Sequence, residues 1–481
     1  MAAAVQVPDP NPQQNFAEAR AAQHDWALRP TDARLRVLRA ARHVLAANCE
    51  SLIDAFSRDL ARTRADSYVV EILPLLAACR FLEREASTIL RTRVLGRRGL
   101  PFWLAGVDSR VERAPFGVVL VIAPANYPLF LAGVQALQAL ASGNAVVWKP
   151  GRGGRDVALL FARLLTAAGL PAGLLRITEE SIAACADAIA ARPDKIFFTG
   201  SSEAGRQILH LAADTATPVV VELSGCDAVI VLPGGDPARV VDALAFGMRL
   251  NGSATCMAPR RLTLVGPGHE PLLAQLQQRF AAMDAVSIDP GTRRQLHNLL
   301  ADATNRGATI IGDPQPSTIR PILVLNGRPE MQIAQADLFA PVLTVLHMPD
   351  LDATVAADKL CPFGLTAAIF GEPTASRALG NRLNVGTVLI NDLIVPTADP
   401  RVPFGGRRRS GFGTTRGAEG LLEMTSAKVV TTRTGKSTRH FQPTTPAHER
   451  LFHAVVRMTH SATVRTRLDG LRRMIEAARD L

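Results

Sequence analysis

The chain of 481 residues has few cysteines and no cysteine pair at the spacing of a metal or redox site. Its six cysteines are scattered, no CxxC sequence occurs, and the ten histidines form no cluster at the spacing of metal ligands. These absences argue against a zinc site and against a disulfide scaffold. We therefore expect reduced thiols in a cytoplasmic protein that binds no metal.

A signal peptide and a clear membrane span are also missing from the sequence. The first sixteen residues lack the basic and then apolar pattern of a secretory leader. Residues 114–148 carry no charge, which a hydropathy scan alone would favour as a membrane span. However, Pro124, Asn126, Pro128 and Asn144 interrupt this run, so a buried βαβ unit is the preferred interpretation.

The net charge of +11 is concentrated near the carboxyl terminus. Residues 428–481 contain 11 Lys and Arg against 4 Asp and Glu, a local net charge of +7. The remainder of the chain is therefore only mildly basic, which argues against a nucleic-acid-binding protein. With 47% hydrophobic and 20% charged residues, the composition is that of a globular protein with room for two or three domains.

Short apolar runs alternate with helical patterns through much of the chain. Between residues 117 and 223 the predicted strands are 117–122, 145–148, 174–178, 195–198 and 219–223, and the predicted helices are 129–141, 158–168, 182–191 and 202–213. This alternation predicts an α/β protein with a doubly wound parallel sheet. Asn126, Lys149, Gly200 and Glu222 fall at or near the carboxyl ends of these strands, where such sheets bind ligands.

Two short glycine-bearing segments, residues 221–225 and 251–256, supply a carboxylate and a thiol. A thiol attacks a carbonyl carbon only as the thiolate, and a shielded carboxylate can accept a proton from it or from water. From the residues alone, Cys256 is either a nucleophile or a buried core cysteine. Glu222 is either a general base or one partner of an ion pair.

The order of the motifs resembles that of the aldehyde dehydrogenase superfamily from about Asn15 to about Val430. The matching segments are Pro115 to Val119, Pro124 to Pro128, Asn144 to Pro150, Phe198 to Ser201, Glu222 to Gly225, Cys256, Phe339 with Pro341, and Pro403 to Gly406. The resemblance implies a Rossmann-like cofactor domain, a second α/β catalytic domain and a small β oligomerisation element. The bounds we expect are 1–96 with 113–222 for the NAD(P)-binding domain, 223–424 for the catalytic domain, 97–112 with 425–440 for the oligomerisation element, and 441–481 for a basic helical extension.

The resemblance also implies catalytic roles for three residues. Cys256 would attack the aldehyde and Asn126, with the Cys256 backbone N–H, would hold the oxyanion; a cap for the helix near Pro128 is the alternative for Asn126. Glu222 would activate the water that releases a free acid. The family's branch that passes the acyl group to coenzyme A generally lacks a glutamate at this position.

For the cofactor, the resemblance implies NAD or NADP. Lys149 would bind the adenosine ribose, although a solvent-exposed lysine is the alternative, and the glycine turn and helix start at Gly200 and Ser201 would bind the pyrophosphate. Arg152 stands where members that prefer NAD often carry a glutamate, so we expect NADP to be tolerated. The remaining expected cofactor contacts are Glu222, Leu223, Asp337 and Phe339, with Asp337 one methylene shorter than the family's glutamate.

Several features leave alternatives open. Ala125 and Ala254 replace a tryptophan and a glutamine that are usual in the family, which leaves room for a bulky substrate or marks a weakened enzyme. An acyl-CoA reductase and a non-catalytic binding protein are the competing functions. The expected partners are an aldehyde, which Tyr127, Leu250 and Phe404 would meet in an apolar mouth, and one or three further copies in a homodimer or homotetramer.

Two basic segments have alternative interpretations. Arg407 to Arg409 form a solvated loop or, less favoured, an anion site. In the carboxyl-terminal extension the apolar residues Val464, Leu468, Leu471, Ile475 and Ala478 share one helical face. This helix is expected to pack on its own or a neighbouring subunit, with attachment to an anionic membrane as the alternative.

Overall fold

The computed structural model describes residues 12–60, 62–314, 317–434 and 439–479. The chain divides into two compact units, Met1–Thr92 with Glu112–Lys428 and Arg93–Val111 with Val429–Leu481. The sequence also predicts a loose tail over residues 1–15, most of which lies outside the described residues. Its last residues do not form a tail, because a helix begins at Pro12 and buries Phe16 and Trp26.

The helices carry the apolar periodicity that the sequence shows. In chain order they are α1 (Pro12–Leu28), α2 (Thr31–Ala47), α3 (Cys49–Asp54), α4 (Arg64–Ser67), α5 (Leu73–Ile89), α6 (Phe130–Ala141), α7 (Arg155–Ala167), α8 (Ile182–Ala190), α9 (Ser202–Ala213), α10 (Pro237–Arg249), α11 (Glu270–Ala281), α12 (Pro290–Asn305), α13 (Leu351–Leu360), α14 (Pro373–Gly380), α15 (Gly417–Leu422), α16 (Pro446–His460) and α17 (Val464–Ala478). Residues Tyr68–Ile72 form a π-helical turn that joins α4 to α5.

The strands are short, and those of the sheet interiors are largely buried. They are β1 (Arg93–Leu95), β2 (Val107–Pro115), β3 (Val118–Ile122), β4 (Ala145–Lys149), β5 (Leu175–Ile177), β6 (Lys195–Gly200), β7 (Val219–Leu223), β8 (Asp227–Val231), β9 (Pro259–Val265), β10 (Val286–Ser287), β11 (Thr309–Ile311), β12 (Thr318–Ile319), β13 (Ile322–Gly327), β14 (Val342–Met348), β15 (Phe363–Gly364), β16 (Thr366–Phe370), β17 (Thr387–Ile390), β18 (Arg407–Arg408), β19 (Gly411–Phe412) and β20 (Thr425–Arg433).

The first unit contains a six-stranded sheet with the order β19-β7-β6-β3-β4-β5. Strands β3 to β7 are parallel, and the first of them in the chain, β3, lies between β4 and β6. This is the doubly wound arrangement, in which the strand order reverses beside β3 and leaves a crevice at the carboxyl ends. The predicted fold class is therefore confirmed.

A seven-stranded sheet with the order β11-β13-β14-β9-β8-β16-β17 forms the second half of this unit. All of its neighbouring strands are parallel except β11 and β13. The two sheets meet in the chain between β7 and β8, close to the predicted boundary at residue 222. The assignment of one sheet to the cofactor and the other to catalysis stays a prediction.

The uncharged run of residues 114–148 forms β3, α6 and β4, as the βαβ interpretation predicts. The five residues of β3 and the five of β4 are buried, and α6 is buried along nearly its whole length. A strand covered on both faces has no polar side, which explains the absence of alternation. Within the described residues, every helix is too short or too polar to cross a bilayer.

The second unit consists of a three-stranded sheet, β1-β2-β20, and the helical hairpin of α16 and α17. The polar, proline-bearing sequence from Thr431 to Pro446 predicts a linker, but strand β20 continues to Arg433, so any linker begins later than predicted. Residues 435–438 of the expected oligomerisation element lie outside the described residues. The predicted helix around residues 464–478 is present, and α16 before it was not predicted.

Candidate active site

A cavity of about 410 Å³ opens at the carboxyl ends of the six-stranded sheet. Its walls include nearly every residue that the sequence marks as a site candidate: Asn126, Arg152, Gly200, Ser201, Glu222, Leu223, Cys256, Asp337 and Phe339. The strand register explains part of this convergence, because Thr199 pairs with Glu222 and Gly200 pairs with Leu223. Lys149, at the end of β4, is the one cofactor candidate that is not among the lining residues.

The loop that carries Cys256 has a rare backbone conformation. Asn251, Gly252 and Ser253 have φ values of 51°, 60° and 63°, three consecutive residues in the left-handed region that L-residues seldom adopt. The buried guanidinium of Arg260 fixes this turn by donating to Ser253 Oγ (2.8 Å) and to the Ser253 carbonyl oxygen (2.6 Å). These hydrogen bonds hold a strained backbone segment shortly before Cys256, and strain of this kind is common at functional sites.

Asn126 is hydrogen-bonded to the same loop. Its Nδ2 donates to the Ala254 carbonyl oxygen at 2.8 Å, and Asn251 Nδ2 donates to the Asn126 carbonyl oxygen at 3.0 Å. A primary amide has two N–H groups, so one remains for a ligand in the cavity. The alternative role of Asn126 as a helix cap is wrong, because the Glu71 carboxylate accepts the backbone N–H groups of Leu129 (3.3 Å) and Phe130 (2.5 Å) at the start of α6.

Glu71 belongs to a buried ion pair that sequence reasoning missed. Arg62 Nη2 lies 2.7 Å from Glu71 Oε1, and the two side chains are 2% and 0% exposed. Arg62 also donates to Asn251 Oδ1 (3.3 Å) and to the Asn126 carbonyl oxygen (3.4 Å). The pair therefore connects the start of α6 to the loops that carry the oxyanion candidate and the thiol.

Glu222 ends β7 inside the protein and is 3% exposed. Thr415 Oγ1 donates to its Oε2 at 2.7 Å, while its Oε1 is buried with no hydrogen-bond partner among the described residues. Burial raises the pKa of Glu222, and the Arg416 charge and the Thr415 hydrogen bond oppose this rise. Such a carboxylate is poised to accept a proton.

The motif after Pro403 reaches Glu222 through β19. Gly411 pairs antiparallel with Glu222. Gly411 has φ of 103°, and a Cβ there would lie 2.0 Å from the Val221 carbonyl oxygen, so glycine is required for this approach. The resemblance identified Pro403 to Gly406 without assigning them a function. The pairing of Gly411 with Glu222 brings the segment that follows this motif beside Glu222, where Thr415 donates to the carboxylate.

Arg416 is a further residue that sequence reasoning missed. It is 6% exposed, its guanidinium lies 4.3 Å from the Phe404 ring centre, and Nη1 donates to the Thr397 carbonyl oxygen at 2.6 Å. Among the described residues no carboxylate lies within ion-pair distance of it, and its Nε is buried without a partner. Buried cations are normally paired, so Arg416 is a positive charge available to neighbouring anions.

Cys256 is half-buried between these groups. Burial raises the pKa of its thiol well above the ordinary value, and the charges of Glu222, Asp227 and Asp337 raise it further. Among the described residues, the Arg416 charge opposes this rise in the Cys256 pKa. The Arg416 charge and protonation of Glu222 would therefore both favour a thiolate at Cys256.

The wall of the cavity beyond Glu222 has the features of a dinucleotide site. Gly200 ends β6, and the Ser201 hydroxyl accepts from the Ala204 N–H (3.2 Å) as the cap of α9, whose other first-turn N–H groups can receive an anion. Arg152 is exposed on the same wall, and Asp337 is half-buried beside Ser224. The crevice therefore has backbone N–H groups that suit a pyrophosphate, a cation that suits a phosphate, and a carboxylate that suits the hydroxyls of a ribose.

Lys149 ends β4 beside β3 and is 8% exposed, so the solvent-exposed alternative is wrong. Burial lowers its pKa, and the charges of Cys185 and Glu180 oppose this. Glu180 itself accepts from the Gly153 N–H at 2.9 Å. The hydrogen bond from Gly153 to Glu180 supports the turn that carries Arg152. Contact of Lys149 with a ribose stays a prediction.

A second, apolar cavity of about 120 Å³ lies on the other side of Cys256 and Glu222, both of which line it. The predicted mouth residues Tyr127, Leu250 and Phe404 are among its walls, together with Val70, Phe130, Leu131, Phe246, Met257, Ile394 and Val395. Tyr127 is anchored by a 2.7 Å hydrogen bond between its hydroxyl and Thr255 Oγ1. Cys256 therefore stands where a polar crevice and an apolar cavity meet.

Comparisons with known proteins agree with this geometry. The profile described as the aldehyde dehydrogenase family matches residues 7–430. The chain belongs to the aldehyde dehydrogenase family. A curated relative, 4,4'-diapolycopene aldehyde oxidase of Methylomonas sp, is 31% identical over 423 residues, which cover 85% of this chain and 79% of the relative.

Two solved structures of the family carry cofactors. NADP-dependent glyceraldehyde-3-phosphate dehydrogenase of Bacillus halodurans C-125, complexed with NADP, is 27% identical with a TM-score of 0.82 and covers 89% of this chain and 93% of that one. An aldehyde dehydrogenase of Mycobacterium tuberculosis, complexed with NAD+, is 25% identical with a TM-score of 0.80 and covers 90% and 92%. The predicted enzyme class, an NAD(P)-dependent aldehyde dehydrogenase, and the predicted cofactor, NAD or NADP, are confirmed at the level of the family.

Proposed function

We propose that this chain oxidises apolar aldehydes to carboxylic acids through a thioester on Cys256. One observation supports this most directly: Cys256 and Glu222 line both the polar crevice and the apolar cavity. An aldehyde that enters from the apolar side and a nicotinamide that enters from the crevice would meet at the sulfur. Orientation of this kind supplies much of the rate enhancement of such reactions.

In the first step, the Cys256 thiolate adds to the aldehyde carbon and leaves a negative charge on oxygen. The second N–H of the Asn126 amide and the Cys256 backbone N–H would hold this oxyanion. Removing one such donor costs about 3–4 kcal/mol of barrier in comparable sites. When bound, the oxidised nicotinamide ring accepts the hydride that leaves the adduct carbon.

In the second step, Glu222 would remove a proton from the water that attacks the thioester. Its Oε1 has no hydrogen-bond partner among the described residues, which suits an acceptor that awaits a proton. Thr415 would hold the other oxygen and keep the carboxylate oriented. Attack by water gives the free acid and regenerates the thiol, so transfer of the acyl group to coenzyme A is the less favoured function.

The walls of the second cavity support the apolar substrate class. Apart from Arg416, Glu222 and two threonines, its lining side chains are aliphatic, aromatic or sulfur-containing, which favours an alkyl, polyene or aryl chain over a phosphate or carboxylate. The name of the Methylomonas relative, an oxidase of a polyene aldehyde, points the same way. Ala125 lines the larger, neighbouring crevice, where its small side chain leaves space.

Arg152 supports a role for NADP. It is exposed on the crevice wall near Asp289, whose pKa it helps to lower. A guanidinium can form a bidentate contact with a 2′-phosphate, whereas the ribose hydroxyls of NAD offer it no charge.

The proposal also includes assembly into a homodimer or homotetramer through the β1-β2-β20 sheet, and a cytoplasmic location.

The test is a matrix of aldehydes and cofactors followed by absorbance of the reduced nicotinamide. We expect kcat/KM to rise with chain length from acetaldehyde to decanal, and product analysis to give the acid. A preference for glyceraldehyde 3-phosphate or a short aldehydic acid would contradict the apolar substrate class. Reduced nicotinamide that forms only when coenzyme A is present would contradict the hydrolytic step.

A further inference from the structure

The helical hairpin of α16 and α17 leaves one side of α17 uncovered. Its inner side is occupied: Ala454 and Ala477 are buried, and a Cβ on Gly470 would lie 2.4 Å from the Met458 backbone nitrogen. The outer side bears aliphatic residues at helical spacing, with exposed fractions of 71% at Val464, 61% at Leu468, 39% at Leu471 and 47% at Ile475. We call these four residues the apolar stripe.

Basic residues border the apolar stripe on both sides. Consecutive helix positions are about 100° apart around the axis, so Arg465, one position after Val464, lies on one flank and Arg467, one position before Leu468, lies on the other. Among the described residues neither has a carboxylate within ion-pair distance, and Arg467 Nε donates to the Ser461 carbonyl oxygen at 2.7 Å. The acidic side chains of α17 are already paired, Asp469 with Arg457 (3.1 Å) and Arg473 (3.0 Å), and Glu476 with Arg472 (3.0 Å).

We propose that the apolar stripe and its flanking arginines bind the surface of an anionic lipid bilayer. The four aliphatic side chains would enter the boundary between headgroups and acyl chains. Arg465 and Arg467 would extend their charged ends toward lipid phosphates, as long basic side chains do at such surfaces. The local net charge of +7 over residues 428–481 provides the long-range attraction.

A second copy of the chain fits this surface less well. If two stripes faced each other, the unpaired arginines on both flanks would come close to those of the partner, and like charges repel. Four aliphatic side chains are also few beside the roughly 20–30 residues that each partner contributes to a stable dimer. An anionic bilayer supplies an apolar phase for the stripe and negative charges for the flanking arginines, so it can bind both.

The test is sedimentation of the full-length protein with vesicles. Vesicles of phosphatidylglycerol and phosphatidylcholine should carry the protein down at low salt, and about a tenfold smaller fraction should bind to pure phosphatidylcholine or at high salt. The double variant Leu468→Gln/Ile475→Gln should lower the bound fraction about tenfold. Ile182→Gln, which changes a side chain that is 88% exposed in the first unit, is the matched control and should bind as the parent does.

Three results would overturn the membrane assignment: no binding to the anionic vesicles, equal binding by the stripe variant and the parent, or a stripe variant that dissociates a lipid-free oligomer in light scattering. The last result would identify a second copy as the occupant. Circular dichroism and turnover of a water-soluble aldehyde, both expected to be unchanged in every variant, keep a folding defect or a failure of the proposed activity distinct from a loss of binding.

Discussion

Removing the positive charge of Arg416 should raise the pKa of the Cys256 thiol and slow its reaction. Arg416 and Cys256 line the same cavity, and the Arg416 charge lowers the pKa of the thiol. For charges about 5–10 Å apart at an effective dielectric constant of about 20, the interaction is about 2–3 kcal/mol. Each pKa unit corresponds to about 1.4 kcal/mol, so we expect Arg416→Met to raise the thiol pKa by at least about one unit.

The assay is the rate of alkylation by iodoacetamide as a function of pH, with the site identified by peptide mass spectrometry. Below the thiol pKa, the thiolate fraction falls about tenfold for each unit by which the pKa rises. The curve of Arg416→Met should therefore lie to the alkaline side of the parent curve. Arg416→Lys keeps the charge and should restore most of the rate at neutral pH.

The pH dependence also includes the other charged groups around the thiol. Glu222, Asp227 and Asp337 raise the Cys256 pKa, while Arg260 and the Tyr127 hydroxyl are further titratable neighbours. Loss of Arg416 also raises the pKa of Glu222, and its protonation partly offsets the effect on the thiol. Arg409→Met changes an exposed arginine of the same segment and should leave the curve in place. If Arg416→Met is folded and its curve coincides with that of the parent, the electrostatic role is refuted.

Three other predictions address the cofactor, the scaffold and the substrate. Arg152→Glu should raise the KM for NADP by about tenfold or more and lower that for NAD or leave it unchanged, because a carboxylate repels the 2′-phosphate but accepts hydrogen bonds from ribose hydroxyls; equal effects on both cofactors would contradict this. Arg62→Met should lower the free energy of unfolding by about 3–5 kcal/mol, because Glu71 is left buried and unpaired, and adding Glu71→Gln should recover part of the loss in a denaturant titration. Leu250→Ser, in the wall of the apolar cavity, should raise the KM for decanal about tenfold more than that for acetaldehyde; a uniform change would place the alkyl chain elsewhere.

The parallel strands and the location of the site could be predicted because buried strands leave a clear apolar pattern. The residues at the carboxyl ends of β6 and β7 meet in space because neighbouring parallel strands end together. The location of Gly200 and Glu222 could therefore be predicted without knowledge of side-chain packing. Helix α6 was equally clear, since its buried faces leave no charged residue. These features depend on local periodicity, which the chain displays directly.

The buried charged side chains around the site could not be predicted in the same way. Arg62 and Glu71 are ordinary charged residues in the sequence, and their burial depends on the start of α6 and the Cys256 loop closing around them. Arg416 lies well beyond Cys256 in the chain and reaches the site only because β19 pairs with β7. A glycine-rich segment that ends in a charged residue is the one signal that could have indicated it, and many surface loops carry the same signal.

A single-turnover experiment on Glu222→Gln tests most directly whether Cys256 carries the acyl group after oxidation. Without the general base, the thioester should persist long enough to be detected. We predict a burst of reduced nicotinamide equal to the number of active sites, and an intact protein that gains the mass of the aldehyde less two hydrogens, located at Cys256. Reduced nicotinamide formed with no adduct on Cys256, or with the adduct on another residue, would contradict the mechanism.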